Sequence, residues 1–188
     1  MSAEAESHQV ASAEAVLSFW RDAGPDRWFD KNADFDEEIR RRFLATYEAA
    51  AAGNLSGWEH TANGALALLI VLDQFPRNMF RGNARAFATD PLARAIAAGA
   101  VVRGFDSQAL QDLRKFFYLP FEHSEDMADQ ERAVAFNRAA GDADGLKWAE
   151  VHADIIRKFG RFPHRNAVLG RVTTPEEQAF LDGGGFAG

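Results

Sequence analysis

Residues Leu66 to Leu72 read Leu-Ala-Leu-Leu-Ile-Val-Leu and carry no polar group on any side. A helix that is apolar all round belongs in the middle of a protein or in a membrane. A membrane span takes about 20 such residues, and this run is far shorter. It therefore predicts a buried central helix around which the rest of the chain packs. The run ends abruptly in Asp73 and Gln74, with Phe75-Pro76 and then Arg77 and Asn78. Charges delivered at the end of the most buried element need partners, because an unpaired buried charge is strongly destabilising or shifts its pKa. A site is expected at that end.

The flanking sequence supplies helices with clear start and stop signals. Ser12 caps a first helix reaching Arg21, with Val16, Phe19 and Trp20 on one side. Ala23-Gly24-Pro25-Asp26 breaks it, and Trp28-Phe29 follow as an aromatic pair in a connecting segment. Asp34 or Asp36 opens a second helix to about Ala52, with Phe35, Ile39, Phe43 and Tyr47 on one stripe and Gly53 after its end. The central helix is expected from Thr61 to Phe75, where Pro76 stops or kinks it by crowding the carbonyl of Leu72. Arg77 to Phe87 reads as loop. Asp90-Pro91 reads as N-cap plus first-turn proline of a helix that Gly104 closes. Asp106 or Ser107 caps the next, with Leu110, Leu113, Phe116 and Phe117 inward and an end before Pro120. Ser124 begins a helix to about Ala140, Gly145 to Phe159 forms another, and Thr174-Pro175-Glu176-Glu177 is a capping box. Sustained period-two alternation is absent. The expected fold is all-α, about eight helices in antiparallel pairs around the buried central helix. Residues 1–11 read as a frayed tail, 12–182 as one helical domain, and 183–188 as a loose glycine-rich end.

The formal charge of −7 argues against a general nucleic-acid or anionic-membrane surface, and no apolar stretch is long enough to span a bilayer. The chain has no cysteine, which excludes disulfides, thiolate metal sites and a cysteine nucleophile. The polar, acidic start lacks the basic and apolar regions of a signal peptide, so a cytoplasmic address is expected. There is no phosphate-cradling glycine loop, no dinucleotide fingerprint and no Gly-x-Ser-x-Gly elbow, so no cofactor is expected. Histidines and carboxylates suffice in number for a metal, but His-Glu-x-x-His and Glu-x-x-His are absent and Glu150-x-His152 is wrongly spaced for one helical face. No metal is expected.

One pattern recurs. Phe75-Pro76 precedes Arg77-Asn78, Leu119-Pro120-Phe121 precedes Glu122-His123-Ser124-Glu125, and Phe162-Pro163 precedes His164-Arg165-Asn166. Each aromatic–proline corner follows an apolar stretch and delivers a dense polar cluster. Proline is a common terminator, so any one corner is explained by punctuation alone. Three carrying Arg, His, Asn and Glu point instead to convergence on one pocket. Arg77, Arg161 and Arg165 offer planar donors for a carboxylate or phosphate ester, with Asp73, Asn78, His152 and Asn166 as further lining. His123 or His164, with Glu122 or Glu125, supplies acid–base chemistry. His152 shares a helical stripe with Ile155, Ile156 and Phe159 and is expected to face the pocket.

These three motifs, with Phe19-Trp20 and Trp28-Phe29, resemble the family called domain of unknown function 924, over nearly the whole chain. The resemblance implies a compact all-helical fold similar to tetratricopeptide-repeat proteins, and it implies no particular activity. Three functions stay open on the residues alone. The first is a small-anion site with catalytic potential, the second a helical module holding a protein or peptide partner, and the third a buried polar network that only fixes helix ends.

Overall fold

The computed structural model describes residues 9–186. Among these there is no strand; eleven α-helical segments are joined by short 3-10 turns, and seven of the eleven are eight residues or longer. Seven of the expected eight correspond to the long ones, the eighth breaks into short turns after Gly104, and the remaining segments are single turns. Packing divides the chain into two compact units. One comprises residues up to Arg81 with Arg85–Pro120, the other Gly82–Ala84 with Phe121 onward.

The first unit opens with α1 (Ala13–Ala23), capped by the Ser12 hydroxyl on the Ala15 N–H. Pro25 starts the short α2 (Pro25–Trp28), so Trp28 is helical rather than part of a connector. Its indole N–H donates to the Trp20 carbonyl at 2.6 Å. Helix α3 (Ala33–Ala51) begins slightly earlier than expected, because Asn32 accepts the Phe35 N–H and so acts as the cap. Its stripe of Phe35, Ile39, Phe43 and Tyr47 is buried. Thr61 caps α4 (Ala62–Leu69), which continues through a π turn (Ile70–Gln74) into α5 (Phe75–Met79). Leu66 to Leu72 are all nearly inaccessible to solvent. Phe75 enters an aromatic cluster, with ring centroids 4.8 Å from Phe43 and 5.6 Å from Trp20.

Pro76 therefore does not end the central helix. A π turn carries five residues in the space of a wider loop, and the Phe75 N–H reaches back to the Ile70 carbonyl. The widening makes room for the proline ring against the carbonyl of Leu72. Helix α6 (Asp90–Val102) starts after Thr89, and Asp90 does not act as its cap. Both side chains are engaged elsewhere: the Thr89 hydroxyl donates to Leu72 O at 2.6 Å, and Asp90 binds Arg77. The segment after Gly104 is not one helix either. It breaks into a 3-10 turn (Asp106–Gln108), α7 (Gln111–Arg114), a second 3-10 turn (Lys115–Phe117) and α8 (Leu119–Glu122), whose second residue is Pro120. Leu113, Phe116 and Phe117 are buried as expected, but Leu110 is 62% exposed because the break turns it outward.

The second unit is built on α9 (Met127–Ala140) and α10 (Ala143–Phe159), which pack along each other. Asp126, not Ser124, caps α9 by accepting the Ala128 N–H; the Ser124 hydroxyl donates to Asp129 instead. Asp142 caps α10 through the Gly145 N–H. A 3-10 turn (Pro163–Arg165) follows, and α11 (Pro175–Asp182) starts with the expected capping box of Thr174 and Glu177. Ile155, Ile156 and Phe162 form the apolar centre, with Val151, Phe159, Phe180 and Phe186 against it. Among the described residues no helix is long and apolar enough to cross a membrane.

Candidate functional site

The three corner prolines sit in the first turn of short helical pieces that carry Arg77, Asn78, Glu122, His164 and Arg165, while His123, Ser124, Glu125 and Asn166 follow just after. Arg77 and Asn78 belong to the first unit; the clusters after Pro120 and Pro163 belong to the second.

In the first unit, Asp73, Gln74 and Asn78 are buried. Arg77 donates a fork to Asp90 at 2.9 and 3.0 Å and lies 3.2 Å from an Asp73 oxygen. It also donates to the Asp73 carbonyl at 2.5 Å, so its guanidinium tends both the charge and the backbone at the π turn. Burial pulls the Arg77 pKa down, but Asp73 and Asp90 outweigh it and hold the pKa above its ordinary value. Gln74 donates to Asp73 at 2.5 Å. Asn78 donates to Asp36 at 2.7 Å, and Arg81 grips that same carboxylate at 2.8 and 2.9 Å. These groups form a network closed by protein carboxylates.

In the second unit, the segment carrying Glu122 and His123 is positioned by α9, whose inner face is polar. Gln130 donates to the carbonyls of Glu122 and Ser124 at 2.7 and 2.6 Å. Asn137, two turns on, donates to the Glu122 carboxylate at 3.0 Å and to Ala133 O. On α10, His152 places its Nδ1 2.8 Å from the Trp148 carbonyl. A carbonyl only accepts, so Nδ1 carries the hydrogen, and in the neutral ring the lone pair lies on Nε2. Glu122 Oε2 lies 4.0 Å from the same Nδ1.

Arg165 is buried, donates to the His123 carbonyl at 3.0 Å, and lies 4.5 Å above the Phe162 ring. The His123 and His152 ring centroids are 6.4 Å apart. His164 packs on the same Phe162 ring at 5.6 Å, and its Nδ1 is buried with no hydrogen-bond partner among the described residues. Burial first, then the positive charge of Arg165 and the neighbouring His152, pushes the His164 pKa down to about 3. Glu122, His123, His152, His164 and Arg165 are thus gathered in one unit. Beside them stand two closed ion pairs. Glu125 accepts from Arg171 at 2.7 and 3.0 Å and from the Phe162 N–H at 2.8 Å; these bonds outweigh burial and hold its carboxyl below the usual range. Arg161 grips Glu177 at 2.6 and 2.8 Å, and Glu177 also accepts from Asn166 at 3.0 Å. The Arg161 fork, followed by the Thr174 N–H, brings the Glu177 pKa down to about 2 despite the opposing cost of burial. Among the described residues no three His, Asp or Glu side chains group as metal ligands.

The sequence patterns do not mark Thr89, Gln130, Asn137, Arg171 or Phe186, and they offer Asp90 only as a helix cap. Gln130, Ala133 and Asn137 do carry a signal, since their spacing marks one helical face that combines amides with a small residue. The others are partners across long sequence separations.

With this geometry, residues 16–185 match the family described as bacterial protein of unknown function, DUF924. The chain belongs to that family. A solved structure of a protein of unknown function from Agrobacterium tumefaciens is 51% identical to it, with a TM-score of 0.88 over 91% of this chain and 97% of that one. At that identity the helical fold is common to both proteins. No curated protein matches the chain.

Proposed function

We propose that the second unit binds a small anion, a carboxylate or phosphate ester. Arg165 is its fixed cation, and His123, His152 and His164 are the proton-exchanging groups around it. The observation that supports this reading is the gathering of three imidazoles about one buried guanidinium. Arg165 supplies one fixed positive charge and the imidazoles around it can donate or take up protons, so an anion in their midst gains from both. His164 stays neutral at physiological pH beside Arg165, so an anion placed there favours its protonation and couples binding to proton uptake. His152, with its tautomer set by the Trp148 carbonyl and Glu122 close by, is oriented to accept a proton through Nε2.

A scaffold role suits the other sequence candidates, and a specific observation favours it in each case. Asp73, Arg77 and Asn78 are tied into the π-turn network, and an incoming anion at Arg77 would compete with two carboxylates already there. Glu125, Arg161 and Asn166 are bound to Arg171 and Glu177.

Histidine-detected NMR of the full chain during titration with phosphate and with acetate tests the site. Saturable shifts of the His152 and His164 ring signals are expected, with an upward move of the His164 pKa, and Arg165→Lys should weaken them. Absence of saturable shifts, together with an Arg165→Ala loss of about 1–3 kcal/mol in unfolding free energy, would assign the cluster to structure alone.

A further inference from the structure

After α11 the described chain continues through Gly183–Phe186 in a defined turn. Gly185 N–H donates to Phe180 O and Gly184 N–H to Leu181 O, the two bonds of a Schellman turn, with Gly184 in the left-handed region at φ 78°. A Cβ on Gly185 would meet the tip of the Phe180 ring at 2.5 Å, so the strap lies flat on that ring. The turn delivers Phe186 onto the histidine cluster. Its ring centroid is 4.6 Å from that of His152 and 5.3 Å from that of His164, both edge-on. Phe186 also lines an open apolar groove with Val151, Ile155, Phe159 and Phe180.

Resting on the anion-site reading above, we infer that Phe186 holds from within the chain the place of a ligand's own planar apolar group. The ligand class is then an anion carried on an aromatic or similarly flat group, and the Gly183–Phe186 strap competes with it. The edge-on contacts are those an aromatic ring makes with imidazole, and the guanidinium lies on the neighbouring Phe162 face, within the same cluster. The strap turns at Gly184, whose left-handed backbone other residues resist, which makes its closed position separable from the rest of the fold.

The test compares inorganic phosphate with phenyl phosphate by calorimetry on the full chain, Phe186→Ala and Gly184→Val. The second variant keeps the ring but forces a β-branched residue into the left-handed region, where space is open and only the turn is strained. If the strap is closed in about nine molecules of ten, its release tightens phenyl phosphate by about tenfold in both variants, with inorganic phosphate unchanged within about twofold. Phosphate binding without a gain for phenyl phosphate overturns the strap inference and leaves the anion site standing. A loss of phenyl phosphate affinity in Phe186→Ala with no gain in Gly184→Val also overturns it, making Phe186 a wall of the site. Failure of both probes on all chains overturns both readings. Should Phe186→Ala not fold, Gly184→Val alone decides on the same criterion.

Discussion

Replacing Thr89 with valine removes one hydroxyl from the first unit while keeping the shape of the side chain. That hydroxyl donates to Leu72 O at 2.6 Å, the carbonyl four residues before Pro76, and Pro76 has no N–H to offer it. Thr89 and Leu72 are both buried, so no solvent replaces the bond. Leaving a buried acceptor unmet costs about 1–3 kcal/mol, more than the net worth of an ordinary exposed hydrogen bond. At about 2 kcal/mol the melting temperature of a chain this size falls by about 4–8 °C. Urea denaturation followed by tryptophan fluorescence measures the loss, since Trp20 and Trp28 lie buried in this unit. The double variant separates cause from coincidence. Pro76→Ala restores an N–H for Leu72 O, so Thr89→Val should cost less in that background, with a coupling of about 1 kcal/mol. A loss below about 0.5 kcal/mol, or an equal loss with and without Pro76, would refute the assignment of Thr89 as the substitute donor.

Leu69→Ala should lower the unfolding free energy by about 2–5 kcal/mol, and a calorimetric or urea-derived loss below about 1 kcal/mol would remove the helix from its central role. The His164 pKa of about 3 lies below its ordinary 6.5, so above pH 6.5 the ring is neutral in both folded and unfolded chains. As pH falls from 6.5 toward 3 the unfolded chain takes up a proton that the folded one refuses, and stability declines through that window. His164→Asn should flatten the decline by about 2–3 kcal/mol down to about pH 4, measured by urea melts at several pH values; an unchanged slope would place the ring in solvent. Thr174→Ala should cost about 1 kcal/mol through the lost cap of α11, visible as a lower melting temperature. Glu177→Gln should cost stability most above pH 4.5 and flatten the loss of stability as pH falls from 4.5 to about 2, the window in which the unfolded chain takes up a proton that the folded one does not. Acid titration of stability with an unshifted profile would contradict the latter.

Local signals were legible because they act over a few residues. Ser12, Thr61 and Thr174 cap helices where their hydroxyls sit next to apolar periodicity. The stripe of Phe35, Ile39, Phe43 and Tyr47 declares its buried face by spacing alone. What failed were places where a residue's local preference is overruled by a distant partner. Asp90 looks like a cap, but Arg77 thirteen residues earlier takes its carboxylate. Pro76 looks like a stop, yet a π turn and the Thr89 hydroxyl absorb both of its defects. Arg77, Arg161 and Arg165 look like donors for an anion, but their spacing shows nothing of Arg161 meeting Glu177 or of Arg171 meeting Glu125. The three histidines of the site are legible because their residue type carries chemistry. The amides that hold them, Gln130 and Asn137, are not, since an amide on a helix is ordinarily a surface residue.

The π turn also bears on which changes of length the chain tolerates. One extra residue in a helical turn rotates everything after it by about 100° relative to an uninterrupted α-helix. Phe75 reaches Phe43 and Asn78 reaches Asp36 in that rotated setting. Deleting any one residue between Ile70 and Gln74 would yield a more regular helix by local criteria, and would swing both contacts to the wrong side of α3. Insertions and deletions are therefore barred from this stretch even where single substitutions are accepted. Aligned relatives should conserve the count of residues from Leu69 to Phe75 more strictly than the identity of those between them.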